Sequence, residues 1–205
     1  MLKPHRIHGG FSMIAVVGTL IVMSLLMVTA LQLVQDHRRR ATLAADHALA
    51  LQEAETALAA AECGLALATG TPIHNDCRAT PDDARIAALN PITLAGFVSG
   101  RCGQNAELGL CWPTPGQSVR ALAKLLDDDT NSVVLPIVTQ RNGRSPALGA
   151  RYVIEPIPDA LPGQWVQAGA ARGPSLFRIT AAGFGGDKQV NVMLQTVYRP
   201  KGIKP

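Results

Sequence analysis

The sequence lacks the short motifs that catalysis most often uses. It contains no Gly-x-Ser-x-Gly elbow, no His-Glu-x-x-His pair and no phosphate-binding loop. The stretch GFGGD at residues 183–187 lacks the Lys-Ser/Thr ending of such a loop and lies between two predicted strands, so we interpret it as a turn. We therefore expect no enzyme activity, no catalytic residue and no cofactor.

A metal site has equally little support. The sequence contains no Cys-x-x-Cys pair, and its cysteines are 14, 25 and 9 positions apart, which matches no common zinc pattern. The acidic run DDDTNS at residues 127–132 places oxygen atoms at alternate positions, as a calcium loop does. Ser132 and Val138 stand where an EF-hand needs Gly and Glu, so we favour a solvated acidic turn.

Charge is absent from residue 11 to residue 35. At about 1.5 Å per residue, a helix of this length crosses a hydrocarbon core of about 30 Å. A buried helix of this length without one charge would be unusual, so we predict a transmembrane helix over residues 11–35. Lys3 and Arg6 favour a cytoplasmic N-terminus, whereas RRR at residues 38–40 favours the reverse, so charge alone leaves the orientation open.

Four cysteines bear on this orientation. Cys63, Cys77, Cys102 and Cys111 suit two disulfides in an oxidising compartment, and four reduced cytosolic thiols are the alternative. A bond from Cys102 to Cys111 would close a short loop, and Cys63 at a helix end can reach Cys77 across the turn at residues 70–72. Disulfides place the C-terminal domain in the periplasm or outside the cell, and the N-terminus in the cytoplasm.

Two glycines lie directly before the apolar segment. An ordinary secretory signal has its small-residue cleavage site after the apolar run, but Gly9 and Gly10 precede it. A cut at this point leaves the apolar helix on the mature protein. We infer that the mature protein uses this helix.

The basic residues do not indicate a nucleic-acid partner. The net charge is +4 and falls by two if Lys3 and Arg6 leave with the first ten residues. The only local basic cluster is RRR at residues 38–40, and no aromatic residue is interleaved with it. We interpret the cluster as a solvated or headgroup-contacting collar, and we expect no nucleic-acid binding.

The helix is predicted to continue beyond the membrane, as an amphipathic helix over residues 36–69. Residues 41–68 are rich in Ala, Leu, Glu and Gln and contain no proline, whereas Gly70 and Pro72 end the pattern. Spacings near three and four predict one buried face. Its members are Leu43, His47, Leu51, Ala54, Leu58, Ala61 and Leu65.

The remainder, residues 70–205, is predicted to form one globular domain. Residues 70–131 are loop-rich, with short helices expected at 81–89, capped by Thr80, and at 119–126. Residues 132–199 contain four strands separated by Gly, Pro and Asn: SVVLPIVTQ, ARYVIEPI, SLFRITAAGF and QVNVMLQTVY. We predict an α+β fold in which the long N-terminal helix covers one face of a half-covered antiparallel meander.

Several stretches together resemble a type IV prepilin, and more narrowly the PilX-type minor pilins. The basic leader at residues 1–10 ends in Gly before the apolar segment. The closest resemblance lies in four stretches: the apolar segment at 11–34, LALQEAETALAAAE at 49–62, RYVIE at 151–155 and FRITAAGFGGDKQVNVMLQTVYR at 177–199. These stretches cover about half of the chain, and residues 70–150 contribute nothing to the resemblance.

The resemblance implies a life cycle for the chain. A prepilin peptidase would cut between Gly10 and Phe11, and Phe11 would carry a methylated amino terminus. The chain would sit in the bacterial inner membrane with a periplasmic head, and would then enter an extracellular pilus. The implied partners are other minor pilins, the major pilin, the inner-membrane assembly platform and a large tip adhesin, in support of adhesion and twitching motility.

One position departs from the family pattern. Major pilins carry Glu as the fifth residue after the cut, and this chain has Ala15 there. The family's Glu is thought to neutralise the amino terminus of the subunit ahead, which a tip subunit does not have, so Ala15 fits a tip or initiating subunit. A tip-type pseudopilin of type II secretion, mutational drift of an interior subunit, or an uncleaved single-pass anchor with a periplasmic binding domain are the alternatives.

Overall fold

The computed structural model describes residues 11–71, 77, 82–112, 124, 126–139, 143–157 and 176–200, with side chains from residue 13. Helix α1 runs over Phe11–Thr69 and helix α2 over Asp83–Ala88, followed by a 3-10 turn at Asn105–Glu107. The strands are β1 at Val133–Val134, β2 at Arg151–Ile157, β3 at Leu176–Phe184 and β4 at Asn191–Tyr198. The chain forms two compact units. The first ends at Ala45, and the second, which we call the head, begins at Asp46.

Helix α1 ends at a glycine, as the sequence predicts. Gly70 adopts φ 63°, a left-handed conformation that costs glycine little. The Gly70 N–H donates to the carbonyl of Leu67 at 3.3 Å, and the Thr71 N–H donates to that of Ala66 at 2.9 Å. This pair of bonds is a Schellman motif, which satisfies carbonyls that the helix end would otherwise leave free.

The four strands form one antiparallel meander in the order β1-β2-β3-β4. Strand β3 pairs with β2 through Ile179↔Ile154 and with β4 through Thr180↔Gln195. The predicted α+β class, a long helix with a C-terminal antiparallel sheet, is confirmed. The predicted first strand over residues 132–140 is reduced to Val133–Val134.

Helix α1 packs on the sheet through small residues. Ala50, Ala54 and Ala57 are fully buried. A Cβ atom on Gly183 of β3 would lie 2.1 Å from the Ala50 carbonyl oxygen and 2.3 Å from the Ala54 nitrogen. The absence of side-chain bulk on both sides therefore allows the helix backbone to lie directly against the strand.

The buried face of the helix differs from the predicted one. Ala54, Ala61 and Leu65 are buried as predicted, and Leu58 is half-buried. The prediction is wrong for three members of the face, because these side chains are exposed: Leu43, His47 and Leu51. The helical pattern predicted a buried face made mainly of large apolar residues. The residues that lie against the sheet are instead alanines, whose small side chains let the helix backbone contact the β3 backbone.

The far face of the sheet is also covered at β2, so the prediction of a half-covered sheet is wrong there. All residues of β2 from Arg151 to Pro156 are buried. A second cluster fills the far face, comprising Cys111, Leu126, Val153, Ala182 and Phe184. Strand β4 alternates between exposed and half-buried residues along its whole length, as a half-covered strand does, with Met193 and Val197 exposed.

Among its described residues, the loop-rich region contributes the short helix α2 to the head. Helix α2 starts later than predicted, and Asp82 is its cap, with a side chain that accepts from the Arg85 N–H at 2.7 Å. Thr80, the predicted cap, lies outside the described residues. In the predicted helix at 119–126, only Lys124 and Leu126 are described, and both are helical.

Candidate functional site

The N-terminal part of α1, residues 13–34, which we call the stem, exposes its apolar side chains on all sides. Its large hydrophobic residues, from Met13 to Val34, are between 50% and 77% exposed. The helix is long and apolar enough to cross a membrane, by length and composition. A continuous apolar surface of this kind requires lipid or other apolar helices around it.

The hydroxyl side chains of the stem are satisfied by the helix itself. The hydroxyl groups of Thr19, Ser24 and Thr29 donate to carbonyls three or four residues earlier, at 2.9, 2.7 and 2.8 Å. Such bonds remove the cost of placing a hydroxyl group in hydrocarbon. These three hydroxyl groups therefore need no hydrogen bonds from their surroundings.

Phe11, the residue predicted to become the N-terminus after processing, lies at the start of this helix. Helix α1 begins at Phe11, and Gly10 lies outside the described residues. Ala15 is exposed one turn into the helix, and the first carboxylate in the sequence is that of Asp36. The stem thus offers no negative charge to an amino terminus.

The head contains the two disulfides, in the pairing that the loop lengths predict. Cys63 on α1 is joined to Cys77, and Cys102 is joined to Cys111, with Cα atoms 5.4 and 4.0 Å apart. The Cys111 N–H donates to the Ile154 carbonyl at 2.9 Å, so the smaller loop lies along the edge of β2. The first bond ties the chain after α1 to the helix, and the second holds a loop at the sheet edge.

Arg85 connects helix α2 to this smaller loop. Its Nη1 atom donates to the carbonyl oxygens of Ala106 and Leu108, at 2.8 and 2.7 Å. Burial lowers the pKa of Arg85 from its ordinary value, and the neighbouring Tyr152 hydroxyl acts in the opposite direction. The Arg85 guanidinium therefore connects α2 to the loop through hydrogen bonds and interacts with Tyr152 of β2.

Arg151 holds the acidic turn against the far face of the sheet. Its Nη1 atom lies 2.7 Å from Asp129 Oδ1 and donates to the Leu126 carbonyl at 3.0 Å. Its Cζ atom lies 5.4 Å from the centre of the Phe184 ring, within cation–π distance. The Asp129 carboxylate thus forms an ion pair with Arg151.

Asp128 is engaged within the same turn. Its Oδ1 atom accepts from the N–H and the hydroxyl of Thr130, and its Oδ2 atom accepts from the Asn131 amide. These bonds lower the pKa of Asp128. Among the described residues no group of His, Cys, Asp and Glu side chains has the arrangement of a metal site.

Among the described residues of the head, Glu155 is one of three buried polar side chains with an atom that has no hydrogen-bond partner, together with Arg85 and Arg151. It is 3% exposed, and its Oε2 atom lies 3.7 Å from Arg178 Nη1 without accepting a hydrogen bond from any described residue. Burial raises the pKa of Glu155, and Arg178 acts in the opposite direction. Burial therefore outweighs the ion pair, and the charged form of Glu155 is disfavoured.

The burial of these polar residues does not follow from any pattern recognised in the sequence. Arg151 and Glu155 are four positions apart in a strand, so they lie on the same face as Val153. The stretch RYVIE therefore contained the relevant pattern, but a prediction of a half-covered sheet would place such charges in water. The tie made by Arg85 depends on carbonyls more than 20 residues later, and no local pattern indicates it.

An apolar N-terminal helix that continues into the cover of an antiparallel sheet defines a pilin-like architecture. The family described as type IV pilus assembly protein PilX, C-terminal, matches residues 65–200, roughly two thirds of the chain. The chain therefore belongs to the PilX family of type IV pilus minor pilins, which are structural components of pili and not an enzyme family. No curated protein and no solved structure gives a significant match.

Proposed function

We propose that this chain is a minor pilin that primes pilus assembly and occupies the tip of the fibre, in support of adhesion and twitching motility. A prepilin peptidase cuts the precursor between Gly10 and Phe11, and Phe11 becomes the methylated N-terminus. The stem holds the subunit in the inner membrane, with the head in the periplasm, until the assembly platform transfers it into the fibre. Its neighbours there are other minor pilins, the major pilin and a tip adhesin.

The absence of a carboxylate at Ala15 is the observation that carries the tip position. An interior subunit with a family-type Glu neutralises the amino terminus of the subunit ahead. A subunit at the tip has no such neighbour, and a buried carboxylate without a partner destabilises its surroundings. Alanine at this position therefore suits a subunit that is first in the fibre.

The substitution Ala15→Glu tests this position. In the membrane an added carboxyl group costs about 2 to 3 kcal/mol or becomes protonated. A tip subunit gains no partner in return, so we expect no increase in incorporation. Quantitative blots of sheared pili measure incorporation, and immunogold labelling of the head locates the subunit along the fibre.

Thr19→Glu is the matched control, because it adds the same carboxyl group one helical turn further along the stem. We expect label at fibre ends and no gain in incorporation from either substitution. Label along the shaft, with incorporation increased by Ala15→Glu and not by Thr19→Glu, would show an interior subunit and contradict the tip position.

A further inference from the structure

Three consecutive arginines follow the stem, Arg38, Arg39 and Arg40, and we call them the arginine collar. All three are exposed, and none forms an ion pair within the described part of the chain. We propose that the arginine collar binds the phosphate groups of anionic phospholipids at the membrane surface. The inference rests on membrane insertion of the stem in the proposed function, and is independent of the tip position.

The collar lies at headgroup depth when the stem spans the bilayer. Arg38 is 27 positions after Phe11 in a continuous helix, which corresponds to about 40 Å. A bilayer measures about 30 Å across its hydrocarbon core and about 40 to 45 Å with its headgroup regions. The collar therefore reaches the headgroups on the side opposite Phe11, whichever side of the membrane that is.

The direction of helical side chains brings the guanidinium groups closer still. Each Cα–Cβ bond of an α-helix tilts toward the helix N-terminus, and the membrane lies on that side of the collar. Long arginine side chains extend further in this direction while they keep their charge in the polar layer. A guanidinium binds phosphate oxygens through two parallel hydrogen bonds, so arginine fits this partner better than lysine does.

The arginines of the collar are not equivalent, because one acidic residue lies on the membrane side. Asp36 is four positions before Arg40 and three before Arg39, so its carboxylate shares their stripe of the helix surface. The corresponding positions before Arg38 are Val34 and Gln35, which carry no charge. We therefore expect Arg38 to contribute most to lipid binding and Arg40 to contribute less.

Membrane topology gives no alternative reason for the collar. Positive residues near a membrane helix favour the cytoplasmic side, where Lys3 and Arg6 of the leader lie in the proposed orientation. The collar is on the opposite side and works against that orientation. Binding of anionic headgroups there supplies a favourable interaction for these charges.

Native mass spectrometry of the full chain in a non-ionic detergent tests the proposal. The protein is titrated with phosphatidylglycerol or with phosphatidylethanolamine of the same acyl chains, and the ratio of the two dissociation constants gives the preference for the anionic lipid. Arg38→Gln is expected to lower this preference about fivefold, and substitution of all three arginines by Gln to lower it by on the order of a hundredfold. Asp36→Asn is expected to raise it.

Lys188→Gln is the matched control, because it removes one positive charge from an exposed turn of the head. It should leave the preference unchanged, and an unaltered unfolding transition shows that each variant is folded. An unchanged preference in the triple variant overturns the proposal. Loss of pilus proteins from the triple variant, with the lipid preference retained, also overturns it and assigns the arginines to a protein partner. Release of the wild-type chain from membranes by alkaline carbonate would instead contradict the proposed function.

Discussion

The two parts of helix α1 contain similar residues in opposite surroundings. Leu26 of the stem is 60% exposed, whereas Leu65 in the head is fully buried between the sheet and the loop-rich region. The stem satisfies its hydroxyl groups internally but leaves its apolar surface uncovered, and the head covers its own core and holds it with two disulfides. The head therefore buries its own apolar surface, whereas the apolar surface of the stem requires lipid or other subunits around it.

Truncation of a leucine in each part gives the largest expected contrast. Leu65→Ala should lower the free energy of unfolding of the head by about 2 to 5 kcal/mol, because it leaves a cavity in the core. Leu26→Ala should change that free energy by less than about 0.5 kcal/mol, because its side chain is 60% exposed and the substitution leaves no buried cavity. Urea unfolding of the full chain in detergent, followed by the fluorescence of the head tryptophans, measures both. Equal losses would show that the stem is part of the head's cooperative unit.

Addition of a methyl group to a glycine tests the close helix–sheet contact. Gly183→Ala should destabilise the head by about 1 to 3 kcal/mol, because its Cβ would overlap the Ala50 carbonyl oxygen. Gly64→Ala on helix α1 is the control, since its Cβ meets nothing nearer than Leu89 Cδ1 at 3.9 Å. It should be neutral or stabilise by up to about 1 kcal/mol through helix propensity. A Gly183→Ala variant as stable as wild type would mean that the helix does not lie directly on β3.

A pH dependence of stability gives the smallest expected effect. The pKa of Glu155 is raised above the ordinary value of 4.5, so the folded head binds this proton more tightly than the unfolded chain does. The resulting stabilisation is fully present below pH 4.5 and is lost as the pH rises through the folded-state pKa. Glu155→Gln should therefore raise the urea midpoint at pH 7 relative to wild type, with a smaller difference at pH 4. A difference that grows toward pH 4 would contradict the burial of this carboxyl group.

The sequence predicted those features that depend on local composition. The length of α1, its end at Gly70 and the strand pattern of residues 151–199 follow from apolar runs and breakers, so they were predicted with small errors. The buried face of α1 was predicted with the wrong members, because a helical repeat does not reveal that Gly183 brings the backbones together. The ties made by Arg85 and Arg151 were missed, since their acceptors lie more than 20 residues away in sequence.

For the candidate functional site, the predicted family is confirmed, whereas the predicted roles of individual residues near the N-terminus are not tested. Membership of the PilX family follows from residues 65–200, so the match confirms the resemblance through the head. Cleavage before Phe11 and the role of Ala15 concern the first residues of helix α1 and the leader before it, outside that match, and remain predictions. The family match therefore covers the head, whereas the proposed cleavage site and Ala15 lie near the N-terminus of the chain.

Determination of the N-terminus of the mature chain is the most direct test of the proposed leader and stem. Intact mass spectrometry and N-terminal sequencing of the chain extracted from membranes should give a protein that begins at Phe11, with one added methyl group on its amino terminus. Replacement of Gly10 by a bulky residue should leave the longer precursor in the membrane. A mature chain that still begins at Met1, or normal processing of the Gly10 variant, would contradict the assignment of a prepilin leader and a retained assembly stem.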